Sequence, residues 1–183
     1  MKLIVGLGNI GKQYDGTRHN VGFEVLDHFV EEYDGTWSEE SKRHARIALV
    51  QVGKERIVCA KPTTYMNRSG AAVQAIASFY KLDSNDLLIV HDEMDLEPGR
   101  IQFKQGGQAA GHNGVSDIQR ALGTTDLQRL RIGIGHPIPP EMRAEEWVLG
   151  PLSPDQAPNA LDIVAAMRDW IEEGLESAAN RWN

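Results

Sequence analysis

The sequence predicts an α/β fold: a single compact domain in which a mixed, mostly parallel sheet is flanked by helices on both faces. Short apolar runs typical of buried strands alternate with longer stretches in which apolar residues recur every three or four positions. The length of 183 residues lies within the range of one domain, and 41% hydrophobic residues can form a sizeable core. We find no internal repeat, low-complexity tract or linker, so we expect one domain over 1–183.

The first half of the chain begins with a strand, a loop and a helix. The run KLIVGLG ends in glycines and predicts a buried strand, and VGFEVLDHFVEEY then carries apolar residues at helical spacing. Two more strands are predicted at ARIALVQVG and RIVCAKP. A helix in NRSGAAVQAIASFYKL and a buried strand in DLLIVHDEMD follow, which continues the strand and helix alternation of an α/β protein.

The second half continues this alternation and then changes character. A short strand is predicted at RIQFK, a helix from about Asn113 to Leu122, and a strand at RLRIGIG. The segment 137–154 is rich in proline, which predicts a loop with a short helix that serves as a flap. The final stretch predicts one C-terminal amphipathic helix from its apolar positions, which are Leu161, Val164, Met167, Ile171 and Leu175.

Charge is distributed unevenly along the chain. The formal net charge of −7 argues against nonspecific binding of nucleic acid by the whole surface. Between 98 and 136, however, five basic residues and two acidic residues leave +3, whereas three basic and nine acidic residues from 137 onwards leave −6. A local basic field of this kind can hold a polyanion at one face, although an ordinary solvated surface has the same composition.

The motif GLGNIG at 6–11 matches the GxGxxG pattern of dinucleotide sites. In such sites the helix opens within the motif, whereas here KQYDGTRHN intervenes before the helical pattern begins near Asn20. The acidic residues about twenty positions on fall at the end of a predicted helix. We therefore expect no dinucleotide cofactor, and we interpret the glycines as a tight turn that leaves Asn9 and His19 on loops at the sheet edge.

Polar residues recur where predicted strands end and helices begin, which is where open α/β sheets place ligands. His19 has the one side chain whose ordinary pKa lets it take and give a proton near neutral pH. Asn67 and Asn113 each have a structural alternative as helix N-caps, and Asp92 could merely cap or form an ion pair. Together with Asn9, these residues are more than capping requires, so we interpret them as a candidate site.

The chemistry of this site is narrowed by what the sequence lacks. No serine lies in a GxSxG motif, and the single cysteine, Cys59, lies on a predicted buried strand, where an inert thiol is expected. The cluster HDEMD offers possible metal ligands, but neighbours on a strand point to opposite faces, and no histidine or cysteine pair has ligand spacing. Hydrolysis without a metal remains, with His19 taking a proton from water and a carboxylate holding its other nitrogen.

Six stretches of this sequence resemble the bacterial peptidyl-tRNA hydrolase family, in order, over about residues 2 to 137. The resemblance implies a compact α/β fold and hydrolysis of the ester that joins a peptide to the 3′ ribose of tRNA, with release of the tRNA for reuse. The stretches that carry the resemblance are KLIVGLGN, YDGTRHNVGF, KPTTYMNRSG, HDEMDLEPG, GGQAAGHNG and RLRIGIGHP.

The resemblance also implies roles for individual residues. The catalytic base of the family falls on His19 and its supporting acid on Asp92. The amides that meet the peptide and position water fall on Asn9, Asn67 and Asn113.

Further positions correspond to residues that meet the end of the tRNA or line the cleft. The tRNA-facing residues fall on Tyr14, Tyr65, Lys104 and Arg131, and Met66 matches a cleft residue. Two of these, Lys104 and Arg131, lie in the stretch of net charge +3. The expected partner is therefore the acceptor end of a peptidyl-tRNA.

The resemblance completes a set of expectations about the whole protein. We expect a cytoplasmic monomer that needs no metal and no cofactor, with no signal peptide and no run of the roughly 18 apolar residues needed to span a membrane. Ile10 stands where relatives usually have proline, and GGQAAG has fewer glycines than many relatives, which concerns loop mobility more than chemistry. A metal-dependent phosphoesterase and a noncatalytic RNA-binding protein remain as alternatives.

Overall fold

The fold is built on a seven-stranded sheet, seen in a computed structural model that describes residues 1–183. The strands are β1 Lys2–Gly6, β2 Ser38–Glu40, β3 Ala45–Val52, β4 Glu55–Pro62, β5 Leu87–Glu93, β6 Ile101–Gln105 and β7 Gln128–Gly133. Their spatial order is β2-β3-β4-β1-β5-β7-β6. The four central strands, β4, β1, β5 and β7, run parallel, and the pairs at both edges are antiparallel. The predicted mixed sheet is therefore confirmed.

Helices cover both faces of this sheet, as predicted. They are α1 Val21–Glu32, α2 Ser69–Tyr80, α3 Asn113–Leu122, α4 Ala144–Val148, α5 Ala160–Glu173 and α6 Leu175–Trp182. One core lies between the sheet and α1, α5 and α6, and a second core lies between the opposite face and α2 and α3. No helix of the structure is both long enough and apolar enough to cross a membrane.

The central strands are apolar throughout because both of their faces are buried. In β1, Ile4 belongs to the first core, while Leu3 and Val5 belong to the second. A parallel strand covered by helices on both sides has this continuous pattern. Cys59 on β4 is buried in the first core, and burial raises the pKa of its thiol, as expected for an inert cysteine.

The prediction of one C-terminal helix was wrong. The segment forms two helices, because Gly174, at φ +88°, ends α5 after Glu173 before α6 begins. The predicted apolar stripe was also wrong at Leu161, which is 75% exposed in the first turn of α5. The buried face of α5 is carried instead by Ile163, Ala166, Met167, Trp170 and Ile171.

The first helix packs directly against the backbone of the sheet. A Cβ on Gly22 would lie 2.6 Å from the carbonyl oxygens of both Leu7 and Val90, so only glycine fits there. This contact brings the start of α1, and the residues just before it, over the carboxyl ends of β1 and β5. Two short 3-10 turns, Lys12–Tyr14 and Arg18–Asn20, separate the GLGNIG motif from α1, so the motif does not open on a helix.

Candidate active site

Three side chains from distant parts of the sequence meet at the carboxyl edge of the central strands. His19 lies in the turn before α1, Asp92 near the end of β5, and His112 directly before α3. Nδ1 of His19 lies 3.0 and 2.9 Å from the two carboxylate oxygens of Asp92. Nε2 of His112 lies 2.8 Å from Oδ1 of the same carboxylate, which is buried. One carboxylate therefore holds two imidazoles.

The hydrogen bonds indicate which ring nitrogen of each histidine carries a hydrogen. Nδ1 of His112 accepts the Val115 backbone N–H at 3.3 Å, so its Nε2 carries the hydrogen that it donates to Asp92. His19 likewise donates its Nδ1–H to Asp92, because the carboxylate can only accept. Nε2 of His19 makes no hydrogen bond within the chain. It is the one ring nitrogen of the pair that is free to accept a proton.

The electrostatics of the centre keep the carboxylate charged. Burial by itself would raise the pKa of Asp92, but the adjacent His112 and His19 imidazoles outweigh it and hold the pKa well below its usual value. Behind them, burial lowers the pKa of His91 well below its ordinary value, and the His91 and His112 rings lie edge to face at 4.8 Å. The centre thus places one charged carboxylate, Asp92, beside two imidazole rings that donate hydrogen bonds to it.

A second network holds the loop after β1. The side chain of Asn20 forms two hydrogen bonds with the backbone of Asn9: Oδ1 accepts the Asn9 N–H at 2.8 Å, and Nδ2 donates to the Asn9 carbonyl at 2.9 Å. Oδ1 of Asn9 in turn accepts the Met66 N–H at 2.7 Å. The Asn9 side chain therefore has a fixed orientation, with its Nδ2 donor left without a partner in the chain.

The remaining predicted amides do not serve as helix caps. Asn67 lies in a 3-10 turn before α2, whose N-cap is Arg68, and the N-cap of α3 is His112 instead of Asn113. Both asparagines are exposed, and their side chains make no hydrogen bonds within the chain. Their structural alternative as caps is removed, and both amides are free to meet a ligand.

A cleft opens beside the histidines. A cavity of about 160 Å³ is lined by His19 and Asp92 and by two residues of α4, Ala144 and Val148. Tyr65, which is 56% exposed, lines a separate cavity with Thr64 and Arg68, and Met66 is buried. The short helix predicted within 137–154 is thus present as α4, and it forms one wall of the cleft.

The two predicted tRNA-facing cations lie at the β6 and β7 edge in different surroundings. Lys104 on β6 is exposed and forms no ion pair. Arg131 on β7 is largely covered, since Nη1 donates to Glu93 at 2.9 Å and Nη2 donates to Gln102. Tyr14 is half-buried in the turn before His19. Lys104 is therefore the open cation of the pair.

Possible metal ligands come together in a cluster that the HDEMD motif does not describe. Within HDEMD, Glu93 pairs with Arg131 and the His91 ring donates to the Asp92 carbonyl, so these side chains do not converge. Ligand atoms of His19, Asp92 and His112 instead lie within 4.8 Å of one another. The same atoms already hydrogen-bond one another, so an ion would have to replace those bonds.

Sequence reasoning missed two members of the site. His112 was passed over in favour of its neighbour Asn113, although the two stand together at the start of the same predicted helix. Asn20 was passed over beside His19, although a buried amide in a loop has to find partners. The adjacency of each to a candidate residue was the available signal.

An imidazole held by a buried carboxylate beside an open cleft, at the edge of an α/β sheet, resembles the His–Asp pairs found in hydrolases. The family model for peptidyl-tRNA hydrolase matches residues 3–183. The peptidyl-tRNA hydrolase of Ligilactobacillus salivarius is 44% identical, with all of both chains covered, and that of Neisseria meningitidis is 50% identical over 75% of this chain and 71% of its own length. This chain belongs to the peptidyl-tRNA hydrolase family.

The fold agrees with this membership. The crystal structure of peptidyl-tRNA hydrolase from Acinetobacter baumannii superposes with a TM-score of 0.90 at 34% identity, covering 100% of this chain and 94% of the other. The resemblance noted in six sequence stretches therefore extends to the whole fold. The expectation of an α/β hydrolase of this family is confirmed.

Proposed function

We propose that this protein hydrolyses the ester between a peptide, or an N-acylated amino acid, and the 3′ ribose of tRNA, with His19 as general base. The observation that carries the role of His19 is its geometry: Nδ1 is held by Asp92 at 2.9 Å, while Nε2 is free beside the cleft. In this reaction Nε2 takes a proton from water as the water oxygen attacks the ester carbonyl. The proton then passes to the departing 3′ oxygen, which leaves as the ribose hydroxyl.

Asp92 has two tasks in this scheme. It holds the His19 ring in the tautomer with Nε2 unprotonated, and its negative charge stabilises the imidazolium that forms when the proton arrives. His112 donates to the same carboxylate and restrains it from rotating. Both tasks rest on the burial of Asp92, because a charge excluded from water acts more strongly on its neighbours.

The free amides suit the acyl side of the substrate. The unpartnered Nδ2 of Asn9 can donate to a peptide carbonyl, and Asn67 and Asn113 offer further unbonded amides for the ester carbonyl or the attacking water. A larger cavity of about 410 Å³ adjoins Asn9 on the β4 side. The cations Lys104 and Arg131 lie across the catalytic centre from it, at the β6 and β7 edge. We infer that the tRNA approaches from that edge and that the peptide leaves past Asn9.

The test of the proposed function is turnover of a defined peptidyl-tRNA by the whole chain, with and without EDTA. We expect hydrolysis to free tRNA and peptide at the same rate in both samples. Loss of activity with EDTA, restored by a divalent metal, would favour the metal-dependent alternative at the His19, Asp92 and His112 cluster. Binding of the RNA without turnover would favour the noncatalytic RNA-binding protein. We place the reaction in the cytoplasm and propose that residues 1–183 act as a monomeric single domain.

A further inference from the structure

The residue before His19 is an arginine that the reaction scheme does not use. Arg18 is 9% exposed, forms no ion pair, and has a buried Nε without a hydrogen-bond partner. Burial lowers the pKa of its guanidinium, which means that the surroundings disfavour its charge. A buried charge without a counterion costs free energy, so its compensating contacts indicate what the side chain is for.

Those contacts lie on α4, which we call the flap helix because it lies in the predicted flap 137–154, and on the segment after it. The guanidinium carbon of Arg18 lies 3.4 Å from the ring centroid of Trp147, and Nη1 donates to the Trp147 carbonyl at 3.1 Å. The Arg18 backbone N–H donates to the Gly150 carbonyl at 2.9 Å. A Cβ at position 150 would lie 2.7 Å from Nη1 of Arg18, so the glycine there leaves room for the guanidinium.

The position of this stack relates it to the cleft. His19 and Val148 on α4 both line the cleft. The residues directly before each of them, Arg18 and Trp147, meet behind the cleft. Trp147 is itself fixed, since its ring N–H donates to the Gly135 carbonyl at 2.8 Å just beyond β7.

We propose that Arg18 is a positioning residue, which sets the distance between His19 and the flap helix by stacking on Trp147. This inference rests on the proposed function, because it assigns Arg18 an effect that acts through His19. A general base displaced by about 1 Å can lose about 10² in rate, so a brace behind the cleft can control turnover without touching the substrate.

The main test is Arg18→Met, which keeps the length of the side chain and removes its charge. We expect kcat to fall about tenfold or more while KM changes by less than about threefold. The unfolding temperature should not fall, because the variant no longer buries an unpaired charge. The matched control is Arg56→Met, at the far end of β4, which removes an exposed arginine and should leave kcat unchanged.

A double-mutant cycle separates positioning from a general structural role. In a His19→Ala background, Arg18→Met should cause no further loss of the residual rate, because the residue that Arg18 positions is absent. Trp147→Phe keeps an aromatic face and should retain most activity, whereas Trp147→Leu should behave like Arg18→Met. Combining Trp147→Leu with Arg18→Met should add little to either single loss.

Amide hydrogen exchange tests the brace independently of activity. In Arg18→Met, the amides of Arg18 and Leu152, which donate to the Gly150 and Gly16 carbonyls between the turn before α1 and the segment after α4, should exchange faster than in the wild-type protein. Wild-type kcat and wild-type exchange in Arg18→Met would overturn the proposal, as would an equal loss of rate with and without His19. Failure of the wild-type protein to cleave peptidyl-tRNA would instead refute the proposed function. The exchange experiment does not depend on turnover, so unchanged exchange in Arg18→Met would separately refute the positioning role of Arg18.

Discussion

The site has a centre, formed by His19, Asp92 and His112, and a rim, formed by Asn67 and Asn113. The two differ in how many of their hydrogen-bonding groups already have a partner within the protein. In the centre, Asp92 accepts from both His19 and His112, and Nε2 of His19 is the one ring nitrogen of that pair left free. At the rim, Asn67 and Asn113 are exposed and unbonded. Asn9 lies between the two, with its oxygen bound to Met66 and its nitrogen free.

This difference indicates a division of labour. Groups that must be oriented before the substrate arrives are satisfied by the protein, so no reorganisation is needed during the reaction. Groups that recognise the substrate keep donors that the substrate can satisfy, and an incorrect ligand leaves them unpaired. Changes in the centre should therefore alter kcat, while changes at the rim should alter selectivity and binding.

The largest effect is expected for His19→Ala. Removal of the base should lower kcat by about 10² or more, while binding of tRNA stays close to normal because the rim is untouched. The measurement is single-turnover hydrolysis together with RNA binding, and His28→Ala, an exposed histidine on α1, is the matched control. An equal loss of turnover and binding would mean that His19 is structural, and the contrast between centre and rim would fail.

A smaller loss, about 10- to 100-fold in kcat, is expected for Asp92→Asn. The amide oxygen can still accept a hydrogen bond from a ring N–H, but the neutral amide cannot stabilise the imidazolium. Its NH₂ group would face a ring N–H of His19, and two donors cannot bond to each other. Asp95→Asn, a change of an exposed acid in the same stretch, is the control. Unaltered turnover in Asp92→Asn would remove the carboxylate from the mechanism.

The same substitution should change how stability depends on acid. The pKa of Asp92 is held below its unfolded value of about 3.9, so its contribution to folding is present above that pH and is lost as the pH falls. Asp92→Asn should therefore lack this part of the acid-dependent loss of stability. Urea unfolding between about pH 5 and pH 2 measures it, and parallel curves for the two proteins would contradict the prediction.

At the boundary between centre and rim, Asn9→Asp tests selectivity. An ordinary aminoacyl ester presents an ammonium where a peptidyl ester presents an amide carbonyl, and the free Nδ2 of Asn9 suits only the carbonyl. Aspartate can still accept the Met66 N–H and can also accept from the ammonium, so the preference for N-blocked substrates should narrow by about 1 to 2 kcal/mol.

The measurement for Asn9→Asp is the ratio of kcat/KM for N-acetylated and free aminoacyl-tRNA. Asn85→Asp, at the opposite end of the sheet, controls for the added charge. An identical ratio in the wild-type and Asn9→Asp proteins would exclude Asn9 from recognition of the acyl group.

The contrast between centre and rim also shows what the sequence could reveal. The strands were predictable because burial on both faces makes them continuously apolar. That His19 and Asp92 would meet was predictable because α/β sheets gather polar residues at one edge, while their catalytic roles remain a prediction. The role of His112 as a partner of Asp92 was not, since it depends on the path of the loop from 106 to 112. The end of α5 was missed because a glycine within a helical pattern stops the helix only if its backbone leaves helical geometry, as Gly174 does.

The smallest effects are expected at the edge where the tRNA is proposed to bind, and they distinguish two cations that the sequence alone treats alike. Lys104→Ala should reduce the slope of log binding constant against log salt by about 1, because an exposed lysine on a phosphate releases about one counterion. Arg131→Ala should change the slope less, because Glu93 already neutralises much of its charge at 2.9 Å. Salt titrations of tRNA binding measure both, with Lys54→Ala on the β3–β4 turn as control. Equal changes for Lys104 and Arg131 would mean that Arg131 leaves Glu93 to reach a phosphate when tRNA binds, and no change for either would place the tRNA on another face.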